Sequence, residues 1–211
     1  MVKNTLLNSF LAGLFISIGG TVFIACALNG GENAFIHKVI GSIMFCIALL
    51  SICMMGLYLF TGKVGYIVND HSKKNILAVL LGLSGNFIGT TLFGVITSYA
   101  SPKIYEYAKV MCEAKVQLNP FVVLFYGVMC GILMYTAVHT YRENKTFVGI
   151  LFCVSVFIIS GFEHSIADMF YFSAARAFTL DYLWFIVLVI IGNSIGGMLV
   201  PLVRDKLVKA N

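Results

Sequence analysis

Six stretches of this sequence run almost without charge: Thr5 to Gly31, Val39 to Gly62, Asn75 to Pro102, Val116 to Tyr141, a run starting at Thr146, and Tyr182 to Val203. A helix needs ~20 apolar residues to cross a bilayer, and each stretch is about that long. With 60% of the 211 residues apolar and 11% charged, a soluble domain could not hide the apolar surface. The chain is therefore read as an all-α membrane protein with six transmembrane helices, one transmembrane domain over residues 1–211. Three prolines and no low-complexity tract leave little room for a linker. No small-residue cleavage site follows a short apolar stretch, so no removable signal peptide is read.

Lysine and arginine set the expected orientation. With the N-terminus inside, Lys3, Lys73, Lys74, Arg142, Lys145, Arg204, Lys206 and Lys209 face the cytoplasm, and Lys38, Lys103, Lys109, Lys115 and Arg176 face outward. Both termini are thus expected in the cytoplasm, and the excess of basic residues needs no nucleic-acid partner. Arg176 and Asp181 are read as a solvated loop pair. The cysteines fall mainly inside apolar runs and form no Cys-x-x-Cys pair, which argues against a disulfide framework or a zinc site.

Spans two and five are irregular. The second breaks around Leu59-Phe60-Thr61-Gly62, and the fifth meets Glu163 inside Gly161-Phe162-Glu163-His164-Ser165-Ile166-Ala167-Asp168-Met169-Phe170. Ionisable groups at bilayer depth are costly and usually face a cavity or a pathway. A helix that ends at Gly161 and leads into a solvated loop is the alternative. Span three carries Gly85-Asn86-Phe87-Ile88-Gly89, and span six carries Gly192-Asn193-Ser194-Ile195-Gly196, 107 residues later. The broken pieces recur at a similar separation. Two copies follow, one over about residues 5–102 and the other over about 116–203. Three spans per copy is odd, so the second copy is inverted. Paired broken helices in inverted repeats are a recurring transporter plan, with the breaks lining the path. The glycines are mainly read as close helix contacts.

These pieces, in this order, resemble the formate/nitrite transporter family, and the span-five stretch is the most specific of them. The resemblance implies an aquaporin-like fold with helices two and five broken, and a homopentamer in which each protomer has its own pore. It implies that His164 is the central pore histidine and that Thr61 faces it. Leu59 and Phe60 would form the inner constriction, and Phe45, Leu49 and Phe157 the outer one. Lys115 would stand in the outer vestibule, and Asn86 and Asn193 would support the site. Glu163 and Asp168 are read as holding the broken backbone through N–H groups, with substrate contact as the alternative. The sequence departs from the family at Gly131 and Asp168, where members carry asparagine, and only Met1 to Asn4 precede the first apolar run, where a proposed gating segment would lie. Gly62-Lys63 and Ile166-Ala167-Asp168 look most like the hydrosulfide-channel branch.

The chemistry of these residues is consistent with such roles. A bare anion is costly to bring into an apolar constriction. The cost falls beside a positive charge, or if the anion takes a proton. Histidine is suited to that exchange, its unperturbed pKa being ~6.5. Lys115 would gather anions, Thr61 could donate a hydrogen bond, and the half-helix N-termini would add positive potential. The expected function is a channel for small monovalent anions (hydrosulfide, formate, nitrite) with proton exchange at His164, in a bacterial plasma membrane. The expected partners are those anions, protons and the lipid bilayer, with no cofactor, no metal and no enzymatic activity. An aquaporin-type neutral-solute channel ranks below, because its paired Asn-Pro-Ala motifs are missing and only Asn119-Pro120 remains. A membrane enzyme or haem protein ranks third.

Overall fold

A computed structural model describes the backbone of residues 2–210 and the side chains of residues 2–204. Met1 and the side chains of Lys206 and Lys209 lie outside the described residues. Among the described residues nine α-helices follow in order: α1 Val2–Leu28, α2 Ala34–Met54, α3 Phe60–Lys63, α4 Lys73–Ala100, α5 Pro102–Val116, α6 Pro120–Asn144, α7 Val148–Ser160, α8 Ser165–Ala174 and α9 Leu180–Ala210. Among the described residues, five helical stretches are long and apolar enough to cross a membrane, and α7 with α8, bent by 55° at a short break, makes a sixth. The chain forms an all-helical bundle of two inverted halves. The first is α1, then α2 with α3, then α4. The second is α6, then α7 with α8, then α9. An even number of crossings leaves both termini on one face.

The helix ends are written locally. Ser72 accepts a hydrogen bond from the Asn75 amide at the start of α4, and Asn119 accepts from the Phe121 amide at the start of α6, where Pro120 takes the first position. Gly161 ends α7 at φ +72°, a conformation that glycine adopts without strain. The bundle is apolar outside: Ile43, Ile47, Leu80, Ile88, Phe152 and Trp184 are exposed on spans. Its polar groups lie inside, where Ser9, Thr61, Asn86, Glu163, His164, Asp168 and Asn193 are buried. That is the arrangement a lipid solvent demands.

The outer helices of each half pack almost backbone to backbone. A Cβ at Gly89 would stand 2.4 Å from the Phe10 carbonyl oxygen of α1, and one at Gly196 would stand 2.0 Å from the Val128 carbonyl oxygen of α6. Only a hydrogen fits at either place.

This close approach carries Asn86 and Asn193 to the two breaks. Leu59 and His164 are both extended, at φ −102°, ψ 123° and φ −111°, ψ 109°, so neither continues a helical ladder. Asn86 Oδ1 accepts from the Phe60 amide at 2.8 Å, and its Nδ2 donates to the carbonyls of Tyr58 and Ser9 at 2.9 and 2.7 Å. Asn193 repeats the pattern: Oδ1 accepts from the Ser165 amide at 2.9 Å, and Nδ2 donates to the carbonyls of Glu163 and Gly127 at 2.9 and 2.8 Å. In this pattern His164 occupies the place that Leu59 holds in the other half.

Two features were not anticipated from the sequence. Residues 103–115, between spans three and four, form most of α5, whose Ile104, Ala108 and Cys112 face inward at a spacing of four. Arg176 does not pair with Asp181. Its guanidinium lies 3.8 Å from the Tyr99 ring centroid and donates to Ser98 Oγ at 2.8 Å.

Two substitutions test this framework. Asn193→Ala strands the Ser165 amide and the Glu163 carbonyl, each worth ~1–3 kcal/mol when buried without a partner. Gly196→Ala forces two backbones apart at a cost of ~1–3 kcal/mol. Both are expected to lower the melting temperature in detergent, whereas Ile195→Ala, on an exposed position, should leave it nearly unchanged.

Candidate functional site

The extended residue at each break frees a short helix to start inside the bundle, and the two starts bring Thr61 and His164 together. Thr61 Oγ1 lies 2.8 Å from His164 Nε2, and the two residues are 0% and 2% exposed. His164 is also the N-cap of α8, because its Nδ1 accepts the Ala167 amide at 3.0 Å. An Nδ1 that accepts leaves the ring proton of a neutral imidazole on Nε2. Hence Nε2–H donates to Thr61 Oγ1, and the Thr61 hydroxyl hydrogen is left to point at another acceptor. Placing a second proton on this ring requires releasing the Ala167 amide.

Apolar groups close around the pair. The Phe157 ring stacks on His164 with centroids 5.5 Å apart and planes 19° apart, and Phe45 meets Phe157 edge-on at 6.2 Å. Leu49, Leu59 and Phe60 are 1%, 1% and 3% exposed. The structure therefore brings together Phe45 and Phe157 beside the histidine, and Leu59 and Phe60 beside the threonine along the chain.

A cavity lies on each side. The larger, about 580 Å³, is lined by His164, Phe157, Lys115, Glu163, Asp168 and Lys38, among others. The smaller, about 200 Å³, is lined by Leu59 and Gly62 together with Lys63, Arg142 and Lys145.

Lys115 stands at the end of α5 over the larger cavity. It donates to Glu163 Oε2 and lies 3.1 Å from Asp168 Oδ1. This corrects two expectations. Glu163 and Asp168 do not hold the broken backbone with their carboxylates; Asn86 and Asn193 hold it with their side-chain amides, while both carboxylates converge on Lys115. Nor is Lys115 a free cation set out to gather anions, because its ammonium is matched by two acids. An amide hydrogen bond is available to a residue packed from a neighbouring span, but that packing is not visible in one sequence. Asp168 Oδ2 is buried and makes no hydrogen bond among the described residues.

The reading of the sequence also missed Lys63, Arg142 and Lys145 as lining residues. The available signal was their position: Lys63 and Arg142 each end an apolar run, and Lys145 lies three residues beyond Arg142.

Comparison with known proteins gives the same fold and a family. The chain superposes on the solved structure of a pentameric formate channel with formate bound, with a TM-score of 0.85 at 19% identity, over 100% of this chain and 98% of that one. It superposes on an ion channel of the FNT family with a TM-score of 0.78 at 24% identity, over 92% and 85%. In sequence it is 30% identical to the uncharacterized transporter YwcJ of Bacillus subtilis, over 77% of this chain and 70% of that protein. It is 25% identical to the nitrite transporter NirC of Escherichia coli, over 90% and 78%. To the formate channel FocA of Escherichia coli it is 30% identical, over 75% of this chain and 61% of that protein. The sequence profile described as Formate/nitrite transporter matches residues 1–204, and the chain accordingly belongs to the formate/nitrite transporter family, whose members are membrane channels and transporters.

Proposed function

We propose that this protein is a channel for small monovalent anions, with proton exchange at His164, assembled as a homopentamer in a bacterial plasma membrane with both termini cytoplasmic. The observation that carries the reading is the buried Thr61–His164 hydrogen bond, set between two cavities and wrapped by apolar side chains. The names of NirC and FocA and the formate-bound channel structure support anions of this size, and the pentameric state of that channel supports the pentamer. Hydrosulfide is placed first among the permeants on the Gly62-Lys63 and Ile166-Ala167-Asp168 pieces, with formate and nitrite next.

The mechanism follows from the geometry. A hydrated ion cannot pass residues packed as closely as Leu59, Phe60, Phe45 and Phe157, so the anion sheds its water there. The Thr61 hydroxyl replaces part of that shell, and the imidazole fixes the oxygen that carries it. A proton delivered to the permeant lets it cross the apolar ring as a neutral acid, which removes most of the desolvation cost. His164 is the titratable group in contact with that hydroxyl, and it exchanges a proton by giving up or regaining the Ala167 cap.

Uptake into proteoliposomes tests this. His164→Ala is expected to reduce hydrosulfide, formate and nitrite uptake by at least ~10-fold and to flatten its pH dependence. Wild-type uptake should rise as pH falls, because acid supplies the proton that neutralises the permeant. Glycerol flux without anion flux would overturn the reading in favour of a neutral-solute channel. Thr61→Val keeps the shape and removes the donor. The loss of one hydrogen bond of ~1.4 kcal/mol corresponds to a ~10-fold fall in flux, with the oligomer intact by size-exclusion chromatography.

A further inference from the structure

The two cavities carry unequal charge. The larger one is balanced: Lys38 and Lys115 face Glu163 and Asp168, both carboxylates are spent on Lys115, and Lys38 donates to the Ile159 carbonyl at 3.0 Å. The smaller one is lined by Lys63, Arg142 and Lys145 and, among the described residues, by no carboxylate. We propose that this smaller cavity is an anion-binding site that loads the pore from the Thr61 side, holding one small monovalent anion between Lys63 and Arg142. The proposal rests on the channel reading for its physiological meaning, but the site itself is defined by its charges.

Its geometry suits that use. Leu59 and Gly62 line the cavity and bracket Phe60 and Thr61 in the chain, so an anion held there lies against the turn that carries the hydroxyl meeting His164. Among the described residues neither Lys63 nor Arg142 has an ion-pair partner. Lys63 Nζ lies 5.8 Å from the Tyr58 ring centroid, and the Arg142 guanidinium lies 4.3 Å from that of Tyr66. An aromatic face fixes a cation in place yet leaves its full charge for a second partner. Lys63 and Arg142 line the same cavity, and an anion between them is attracted by both. Glu143, beside Arg142 in sequence, is exposed and is not part of the lining. A volume of about 200 Å³ admits a small anion with a few waters.

Cys53 lines the same cavity and is half-buried, which provides a reporter independent of transport. The purified full-length protein would be treated with anionic sulfonatoethyl and cationic trimethylammonioethyl methanethiosulfonate, with Cys53→Ser defining the background. The anionic reagent is expected to be favoured at Cys53 by ~10-fold or more over the ratio seen with a free thiol. Sodium formate should slow the reaction in the wild type. In Lys63→Gln/Arg142→Gln both the preference and the protection should vanish, and in Lys63→Arg/Arg142→Lys both should persist. A wild-type ratio equal to that of a free thiol, or a preference unchanged in the Gln variant, would overturn the site. Because labelling reads binding and not flux, either of those results leaves the anion-channel reading standing. An anionic preference in a protein that carries no anion flux would overturn that reading alone.

Discussion

Two side-chain amides hold open the interior on which everything else depends. A span that breaks in the middle of a bilayer exposes peptide groups with no water to satisfy them, and each such group costs several kcal/mol. Asn86 and Asn193 each take one amide and two carbonyls, bridging a break to the carbonyl of the neighbouring span. Asparagine is suited to this because one planar group offers both an acceptor and donors. With the breaks secured, two short helices can start inside the bundle, and Thr61 and His164 can meet at 2.8 Å. The glycines beside the asparagines, Gly89 and Gly196, bring the spans near enough for the amides to reach.

The inverted plan is symmetric in backbone and asymmetric in chemistry. The same hydrogen-bonding pattern surrounds an apolar Leu59 in one half and His164 in the other. One cavity has its cations offset by acids, while the other has cations set against aromatic rings. A symmetric scaffold thus supports a directional arrangement of charge, with a titratable ring between a balanced vestibule and a positive one. Focusing of field in a low-dielectric cleft makes such differences count for more than they would on an open surface. The ring is tied to the fold as well as to the path, because its Nδ1 caps α8.

Much of the candidate site is legible in the order of residues alone. The break at Leu59-Phe60-Thr61-Gly62 and the charged stretch after Gly161 stand out because charge and irregularity are rare in apolar runs. The repeated Gly-Asn pieces point to the residues that support the breaks. The role expected of Glu163 and Asp168 was wrong, since a carboxylate near a break is as compatible with a distant lysine as with a nearby amide. The helix α5 escapes notice because its charges mask the inward spacing of Ile104, Ala108 and Cys112.

By itself the sequence determined the solvent, the number of spans, the inverted plan and the positions of the breaks. Each of these follows from local quantities: the length of apolar runs, the parity of a repeat, and residues that cannot continue a helix. Only the tertiary structure decided which groups pair. That Lys115 is spent on two acids, that Asn86 and Asn193 hold the breaks, and that Lys63 stands with Arg142 at an unbalanced mouth are facts about residues far apart in the chain. They depend on how closely the spans approach and which faces they turn to one another, and those distances are set by packing across the whole bundle.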